Sequence, residues 1–171
     1  SPSDIMILLP SRTNLPDLMA RLSAAGIPAQ ADKEGGLLSR AVVSSLLSLV
    51  QWIARPSSRH AASAVARSCL VGLTDTQLQE FIGSSSTGEN LINRLSTLLE
   101  EGPHQNLINR WQYFSSKGDV IKALQVTLDY SDLFLAYPEL SNRQDAEQFI
   151  QLVESQVTEV GGDPILLADR V

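Results

Sequence analysis

Few side chains in this sequence are of the types that perform acid–base or nucleophilic chemistry, and their spacing favours neither. His60 could be combined with one of the many serines and aspartates into a hydrolytic triad. No serine, however, stands in the Gly-x-Ser-x-Gly pattern that presents a nucleophile on a tight turn. We therefore expect His60 to lie on a helix surface beside Arg59, and His104 to lie in the turn at Gly102-Pro103.

Metal and nucleotide ligands are equally scarce. Cys69 is the single cysteine, and with two histidines it supplies too few ligands for a structural zinc site, so we expect it in the core. Glu100, Glu101 and Glu147 could pair their carboxylates, but such residues on amphipathic helices usually form a solvated face. A P-loop and a dinucleotide-binding glycine fingerprint are both missing from the sequence. We expect no catalytic residue, metal site or cofactor site in this chain.

Charge is distributed unevenly along the chain, whose formal net charge is -6. Residues 1–83 carry 7 basic and 6 acidic side chains, whereas residues 84–171 carry 6 basic and 13 acidic ones. Between Gly35 and Thr74 there is no acidic residue, and this acid-free stretch contains four arginines: Arg40, Arg55, Arg59 and Arg67. Because phosphate binding depends on Lys and Arg, this stretch is the best candidate for an anion-facing surface. The alternative is four solvated arginines on helix surfaces.

Size and hydropathy indicate a globular chain. A length of 171 residues fits one domain, or one domain with an attached piece of another. The apolar runs are far shorter than the roughly 20 residues of a membrane-spanning helix, so we expect no membrane span. Without a basic leader before an apolar stretch, we expect a cytoplasmic location. A first residue other than methionine fits an excised fragment.

The first 34 residues predict a β-α-β unit. An apolar run at residues 4–9 predicts a buried strand. Asn14 can cap a helix that stops at Gly26, and residues 27–31 predict a second short strand. Two parallel strands cannot bury both of their faces, so residues 1–34 should be the edge of a larger α/β domain.

The remainder, residues 35–171, predicts helices separated by glycine and proline. Thr74-Asp-Thr-Gln77 has the form of a capping box. The small polar residues 83–88 predict an internal linker at the boundary between the two charge regimes. The predicted fold is therefore mainly α, and its helices cover residues 39–54, 58–69, 74–82, 89–101, 105–117, 119–129 and 143–160.

Several segments, taken in order, resemble a known family. They are Asp4-Ile-Met-Ile-Leu-Leu-Pro-Ser-Arg-Thr-Asn14, Ala25-Gly-Ile-Pro28, Gly35-Gly-Leu-Leu38, Ala64-Val-Ala-Arg-Ser68 and Val71-Gly-Leu-Thr-Asp-Thr-Gln-Leu78. Their order and spacing resemble the C-terminal motor region of UvrD/Rep/PcrA-type superfamily-one DNA helicases. The resemblance is closer to the RecB/AddA-like branch, which comprises ATP-dependent exonuclease proteins of recombinational repair.

This resemblance implies a domain organisation. Residues 1–34 would be the edge of the second RecA-like motor domain, and residues 35–171 would be a helical 2B-like subdomain. ATP and Mg²⁺ would bind elsewhere in the parent protein, and the fragment would hold no cofactor and have no activity alone. The implied partners are DNA through the parent protein, the other motor subdomains of the same chain, and a partner subunit.

The resemblance also implies DNA contacts. Arg12-Thr13-Asn14 resembles the family's Arg-Ser/Thr-Asn triplet near the single-stranded DNA track. The stretch from Gly72 to Thr74 resembles the Gly-Ile-Gly turn with which the 2B subdomain touches duplex phosphates; the alternative is a plain capped helix start. Three arginines of the acid-free stretch become candidate phosphate contacts as well: Arg40, Arg59 and Arg67.

Two functions therefore compete. The first is a non-catalytic accessory region of a helicase or helicase-nuclease of DNA repair and recombination, which orients duplex DNA or regulates the motor. The second is an acidic helical protein–protein interaction module without DNA contact, which the negative net charge would suit.

Overall fold

The computed structural model describes residues 7, 14–27, 29, 36–99, 102–130 and 132–170. The chain divides into two compact units, residues 1–34 and residues 35–171. All regular secondary structure within the described ranges is helical, which confirms the prediction of a mainly α protein for that part of the chain. Most of residues 4–9 and 27–31 fall outside the described residues, so the β-α-β unit stays a prediction.

The first unit contains helix α1, Leu15–Ala24. It begins directly after Asn14 and has a proline in its first turn, where the missing N–H and the fixed φ of proline favour helix initiation. The Asn14 side chain makes no capping hydrogen bond, so the predicted side-chain cap is absent. Beyond the helix, Gly26 adopts the left-handed conformation with φ of 69°, as the predicted stop requires.

The described part of the second unit consists of a 3-10 turn, Leu37–Ser39, followed by nine helices. These are α2 Ala41–Ala54, α3 Arg59–Arg67, α4 Asp75–Gly83, α5 Leu91–Leu98, α6 Gln105–Lys117, α7 Val120–Tyr130, α8 Leu133–Ala136, α9 Leu140–Glu159 and α10 Pro164–Arg170. The seven predicted helices of this region are all present, α6 with the predicted bounds. The short helices α8 and α10 were not predicted.

Local sequence signals set several helix ends. The predicted capping box is formed: Gln77 donates its backbone N–H to Thr74 Oγ1 at 3.3 Å, and Thr74 donates its own to Gln77 Oε1 at 3.0 Å. Asn90 caps α5 by accepting from the backbone N–H groups of Ile92 and Asn93. Gly118 ends α6 in the left-handed conformation, with φ of 68°.

Helix α2 is the centre of the second unit. It contacts the 3-10 turn and α3, α6, α7, α9 and α10. Because neighbours cover several of its sides, an apolar stripe would not suffice, and its sequence is apolar nearly all round. Its buried side chains are Val42, Val43, Leu46, Leu49, Val50, Trp52, Ile53 and Ala54.

Aromatic side chains connect α2 to the later helices. The Trp52 ring packs edge-to-face against Phe81 of α4 and against Trp111 of α6, with ring centroids 6.4 Å apart in both pairs. Trp111 Nε1 donates to Thr127 Oγ1 of α7 at 2.8 Å, and the Thr127 hydroxyl donates to the Ala123 carbonyl at 2.6 Å. The most deeply buried polar groups in this region are thereby paired.

Candidate nucleic-acid interface

Arg40, which begins α2, is held against the long helix α9. Its Nε lies 3.9 Å from Oδ2 of Asp145, and the two side chains are only 23% and 11% exposed. Desolvating a pair of charges is costly, and removing one partner leaves the other poorly compensated. The pair therefore ties the start of α2 to α9, and Arg40 could reach a phosphate only by giving up this carboxylate.

Arg55, at the other end of α2, pairs with the last described helix. Its Nη2 donates to Oδ1 of Asp169 in α10 at 2.5 Å, with both side chains about half exposed. The acid-free stretch thus receives carboxylates from distant parts of the chain. Some of its apparent excess of positive charge is neutralised within the fold.

Arg59, at the start of α3, holds the loop at residues 83–88. Its Nη2 donates to the Ser85 carbonyl at 2.7 Å. Ser85 is itself buried, and its hydroxyl donates to the Ile82 carbonyl at 2.7 Å. The segment predicted as an internal linker therefore lies within the second unit and is fixed by hydrogen bonds on both sides.

Arg94 of α5 fixes the same loop from the opposite direction, a role that was not predicted from the sequence. Its Nε donates to the Phe81 carbonyl at 2.8 Å, and its Nη2 donates to the Glu80 carbonyl and the Ser84 hydroxyl. Its Nη1 lies 3.4 Å from Oε1 of Glu89. Nothing in the local pattern of α5 points to these contacts, because they join residues up to 14 positions apart.

The turn before α4 places Gly72 on the surface, with φ of 72° and open space where a Cβ would stand. Several of its amides are already used: Gly72 donates to the Ser68 carbonyl and Leu73 to the Ala66 carbonyl, each at 2.8 Å. Thr74 is occupied by the capping box. An anion at this turn would therefore meet the next two amides of the helix start, which have no partner within α4.

Arg67, in the last turn of α3, lies next to that helix start. Its Nη2 is 3.2 Å from Oδ1 of Asp75, and the two side chains are 62% and 84% exposed. An ion pair this exposed contributes about 0–1 kcal/mol, so an incoming phosphate could displace Asp75 at little cost. Of the candidate arginines, Arg67 is the most accessible to a phosphate.

The N-terminal triplet is described only in part. Asn14 is exposed at the start of α1, whereas Arg12 and Thr13 lie outside the described residues. The DNA-contacting role of the triplet stays a prediction.

An open groove between α5 and α6 offers hydrogen-bonding groups without formal charge. Amide, hydroxyl and phenol side chains and one proline line it: Pro56, Asn90, Asn93, Asn109, Gln112, Tyr113, Ser115 and Ser116. Phosphate recognition depends on cationic donors, so this groove is a weaker candidate for the interface than the Gly72 turn.

The candidate reactive groups are dispersed. His60 is exposed near the start of α3, and His104 lies in the turn before α6 as predicted. Cys69 packs partly buried against the core, and this burial raises the pKa of its thiol. Within the described ranges, no three His, Cys, Asp or Glu side chains gather closely enough to hold a metal ion. Each helix there is too short or too polar to cross a bilayer.

Comparison with known proteins gives similarity to one kind of enzyme component. No protein-family model and no solved structure matches the chain. The chain is 39% identical over 75 residues to the ATP-dependent helicase/nuclease subunit of Geobacillus kaustophilus, which covers 44% of this chain and 6% of that protein. It is 27% identical over 157 residues to the protein of the same name from Bacillus cereus, which covers 82% of this chain and 13% of that protein.

These matches support the helicase/nuclease side of the resemblance seen in the sequence. They are partial and of low identity, and the chain spans only 6–13% of the length of these relatives. This chain is therefore similar to a small portion of a large helicase/nuclease protein.

Proposed function

We propose that this chain is a helical accessory region of an ATP-dependent helicase/nuclease of DNA repair and recombination, without chemistry of its own. The observation that carries the proposal is the match of 82% of this chain to 13% of the Bacillus cereus protein. A portion of that size would serve a larger motor. ATP and Mg²⁺ would bind in other parts of the parent protein, and the other motor subdomains would be its nearest partners.

In this proposal the second unit corresponds to a 2B-like subdomain, and the Gly72 turn meets duplex DNA. Arg67 supports this assignment because its exposed pair with Asp75 is cheap to open. The first-turn amides of α4 would add hydrogen bonds to the same phosphate. Arg40 would instead maintain the fold, because Asp145 holds it in a partly buried pair.

The test is a salt titration of binding between the 171-residue chain and duplex DNA with a single-stranded tail. Each phosphate contact in B-DNA contributes about 0.9 to the slope of log affinity against log salt. We expect Arg67→Ala to reduce that slope by about 0.9. Arg170→Ala is the matched control, since Arg170 is also an exposed arginine paired with a carboxylate, Glu159, at 3.1 Å.

We expect the control variant to leave the slope unchanged. Equal loss of slope in Arg67→Ala and Arg170→Ala would refute a specific contact at the Gly72 turn. No measurable binding by the wild-type chain at low salt would remove DNA contact from the function of this region.

The second candidate function is a protein-interaction module, and one surface feature favours it. Leu135 and Leu140 are 80% and 71% exposed at the junction of α8 and α9. Arg143 lies beside them, with its guanidinium 4.9 Å from the centre of the Phe134 ring. Exposed leucines next to an arginine–aromatic pair are typical of protein contact surfaces. Absence of DNA binding at low salt, by the wild type and by all variants, would favour this candidate.

A further inference from the structure

The carboxylate of Glu89 is surrounded by donors that converge on one point. Its Oε2 accepts from the Ser86 backbone N–H at 2.8 Å, and its Oε1 lies 3.4 Å from Arg94 Nη1. Arg59 is close enough for its charge to act on the same carboxylate. We propose that these three donors, the Ser86 amide, Arg94 and Arg59, form a phosphate-binding cradle that Glu89 fills from within the chain.

The cradle is held in place by the rest of the fold. Other N–H groups of the Arg94 guanidinium donate to the carbonyls of Phe81 and Glu80, which leaves Nη1 facing the carboxylate. Arg59 is anchored by its bond to the Ser85 carbonyl. The Arg94 and Glu89 side chains are only 25% and 30% exposed. A ligand would thus meet donors that need little reorganisation, which favours binding.

The environment stabilises a negative charge at this point. The Ser86 amide, and after it Arg94 and Arg59, hold the pKa of Glu89 below its ordinary value although desolvation opposes them. A carboxylate offers two acceptor oxygens, whereas a phosphate offers more oxygens and more charge. Guanidinium groups bind phosphate in the same forked geometry that they use for carboxylates. Phosphate is therefore a fitting competitor for Glu89.

The loop also gives a phosphate access and extra donors. Ser84, Ser86 and Thr87 are exposed, and their hydroxyls lie in the same turn as the Ser86 amide. Gly88 adopts φ of 81° and has open space beside it, so a ligand can approach the backbone closely. In this arrangement Glu89 acts as an internal competitor that must move aside before a phosphate binds.

The site is independent of the proposed helicase role and of the Gly72 turn. Its ligand is a phosphate group, either free inorganic phosphate or a phosphate of a nucleic-acid backbone. The first measurement is the affinity of the chain for inorganic phosphate by calorimetry, with chloride used to keep the ionic strength constant. The variants are Glu89→Gln, which removes the competing charge, and Asp169→Asn, which makes the same change of charge beside the exposed Arg55.

We expect Glu89→Gln to bind phosphate at least about tenfold more tightly than the wild type, because the competing charge is gone, and Asp169→Asn to match the wild type. Adding Arg94→Gln to Glu89→Gln should abolish the gain. Equal phosphate affinity in Glu89→Gln and the wild type would overturn the proposal, as would an equal gain in Asp169→Asn. Circular dichroism checks that each variant is folded.

Glu89→Asp provides a second variant that retains the charge if Glu89→Gln does not fold. The side chain is shorter by one methylene, so the carboxylate withdraws from the Ser86 amide and we expect tighter phosphate binding than in the wild type. No gain in this variant would then overturn the proposal.

A parallel titration with a short oligonucleotide identifies the source of the phosphate. Binding of inorganic phosphate that perturbs the Ser86 amide in nuclear magnetic resonance spectra supports a site for the free ion. The same perturbation by the oligonucleotide alone supports a backbone phosphate. If neither ligand perturbs the Ser86 amide of a folded Glu89 variant, no phosphate site exists here. The Arg67→Ala salt titration reports separately on the proposed function.

Discussion

Replacing Thr127 by valine should destabilise the second unit, because it removes the partner of a buried indole. The Thr127 hydroxyl accepts from Trp111 Nε1 at 2.8 Å, and both side chains are fully buried. Valine has nearly the same shape, so the substitution leaves no large cavity but leaves the indole N–H unpaired. An unsatisfied buried donor costs about 1–3 kcal/mol, and we expect a loss of about 2 kcal/mol.

Urea unfolding followed by circular dichroism at 222 nm measures this loss without depending on tryptophan fluorescence. For a domain of this size, the corresponding decrease in Tm is roughly 4–8 °C. Thr158→Val is the matched control: Thr158 makes the same bond to a carbonyl four residues earlier in its helix, but on an exposed surface. We expect the control to change stability by less than about 0.5 kcal/mol.

A double-mutant cycle with Trp111→Phe isolates the interaction itself. Phenylalanine lacks the N–H, so in its presence Thr127→Val should cost about 1 kcal/mol less than in the wild type. A stabilising bond between the two side chains is refuted if Thr127→Val costs no more than Thr158→Val, or if the substitutions at positions 111 and 127 are additive.

Three further predictions concern charged and titratable groups. Asp145→Ala should cost roughly 2–3 kcal/mol in urea unfolding, because it leaves a partly buried arginine uncompensated, whereas Asp169→Ala should cost under about 1 kcal/mol at its exposed pair. The folded state lowers the pKa of Glu89 and Asp119, so stability present above their ordinary values of 4.5 and 3.8 should be lost as pH falls through the folded values; unfolding titrations between about pH 6 and 3 measure this, and Glu89→Gln should flatten part of the decline. Burial raises the pKa of Cys69, so its alkylation by iodoacetamide at about pH 8 should be slower in the folded chain than in urea; equal rates would contradict the burial.

The sequence predicted best the features whose causes lie within a few residues. The capping box of Thr74 and Gln77 and the stop at Gly118 involve neighbours in the chain, and both were recognisable as local patterns. Helices α8 and α10 have only four and seven residues. Such lengths contain too few turns for an apolar periodicity to be seen, so their existence depends on the core they pack against.

The partners of the candidate arginines could not be predicted from local patterns. Arg55 meets a carboxylate 114 positions further along the chain, and Arg40 meets Asp145 in a similarly distant helix. A stretch without acidic residues suggested exposed positive charge, but tertiary packing supplied the missing carboxylates. The role of Arg94 was missed for the same reason. The Arg67 position before Asp75 was the exception, since both flank one short turn.

The central position of α2 has a consequence for the order in which the chain can fold. During synthesis α2 leaves the ribosome first among the nine described helices of its unit, while α9 and α10, which pack against it, leave last. The nascent helix must therefore keep an almost wholly apolar surface exposed until those later helices have been made. We expect this unit to fold in one late step after release of α10, and its incomplete chains to depend on chaperones.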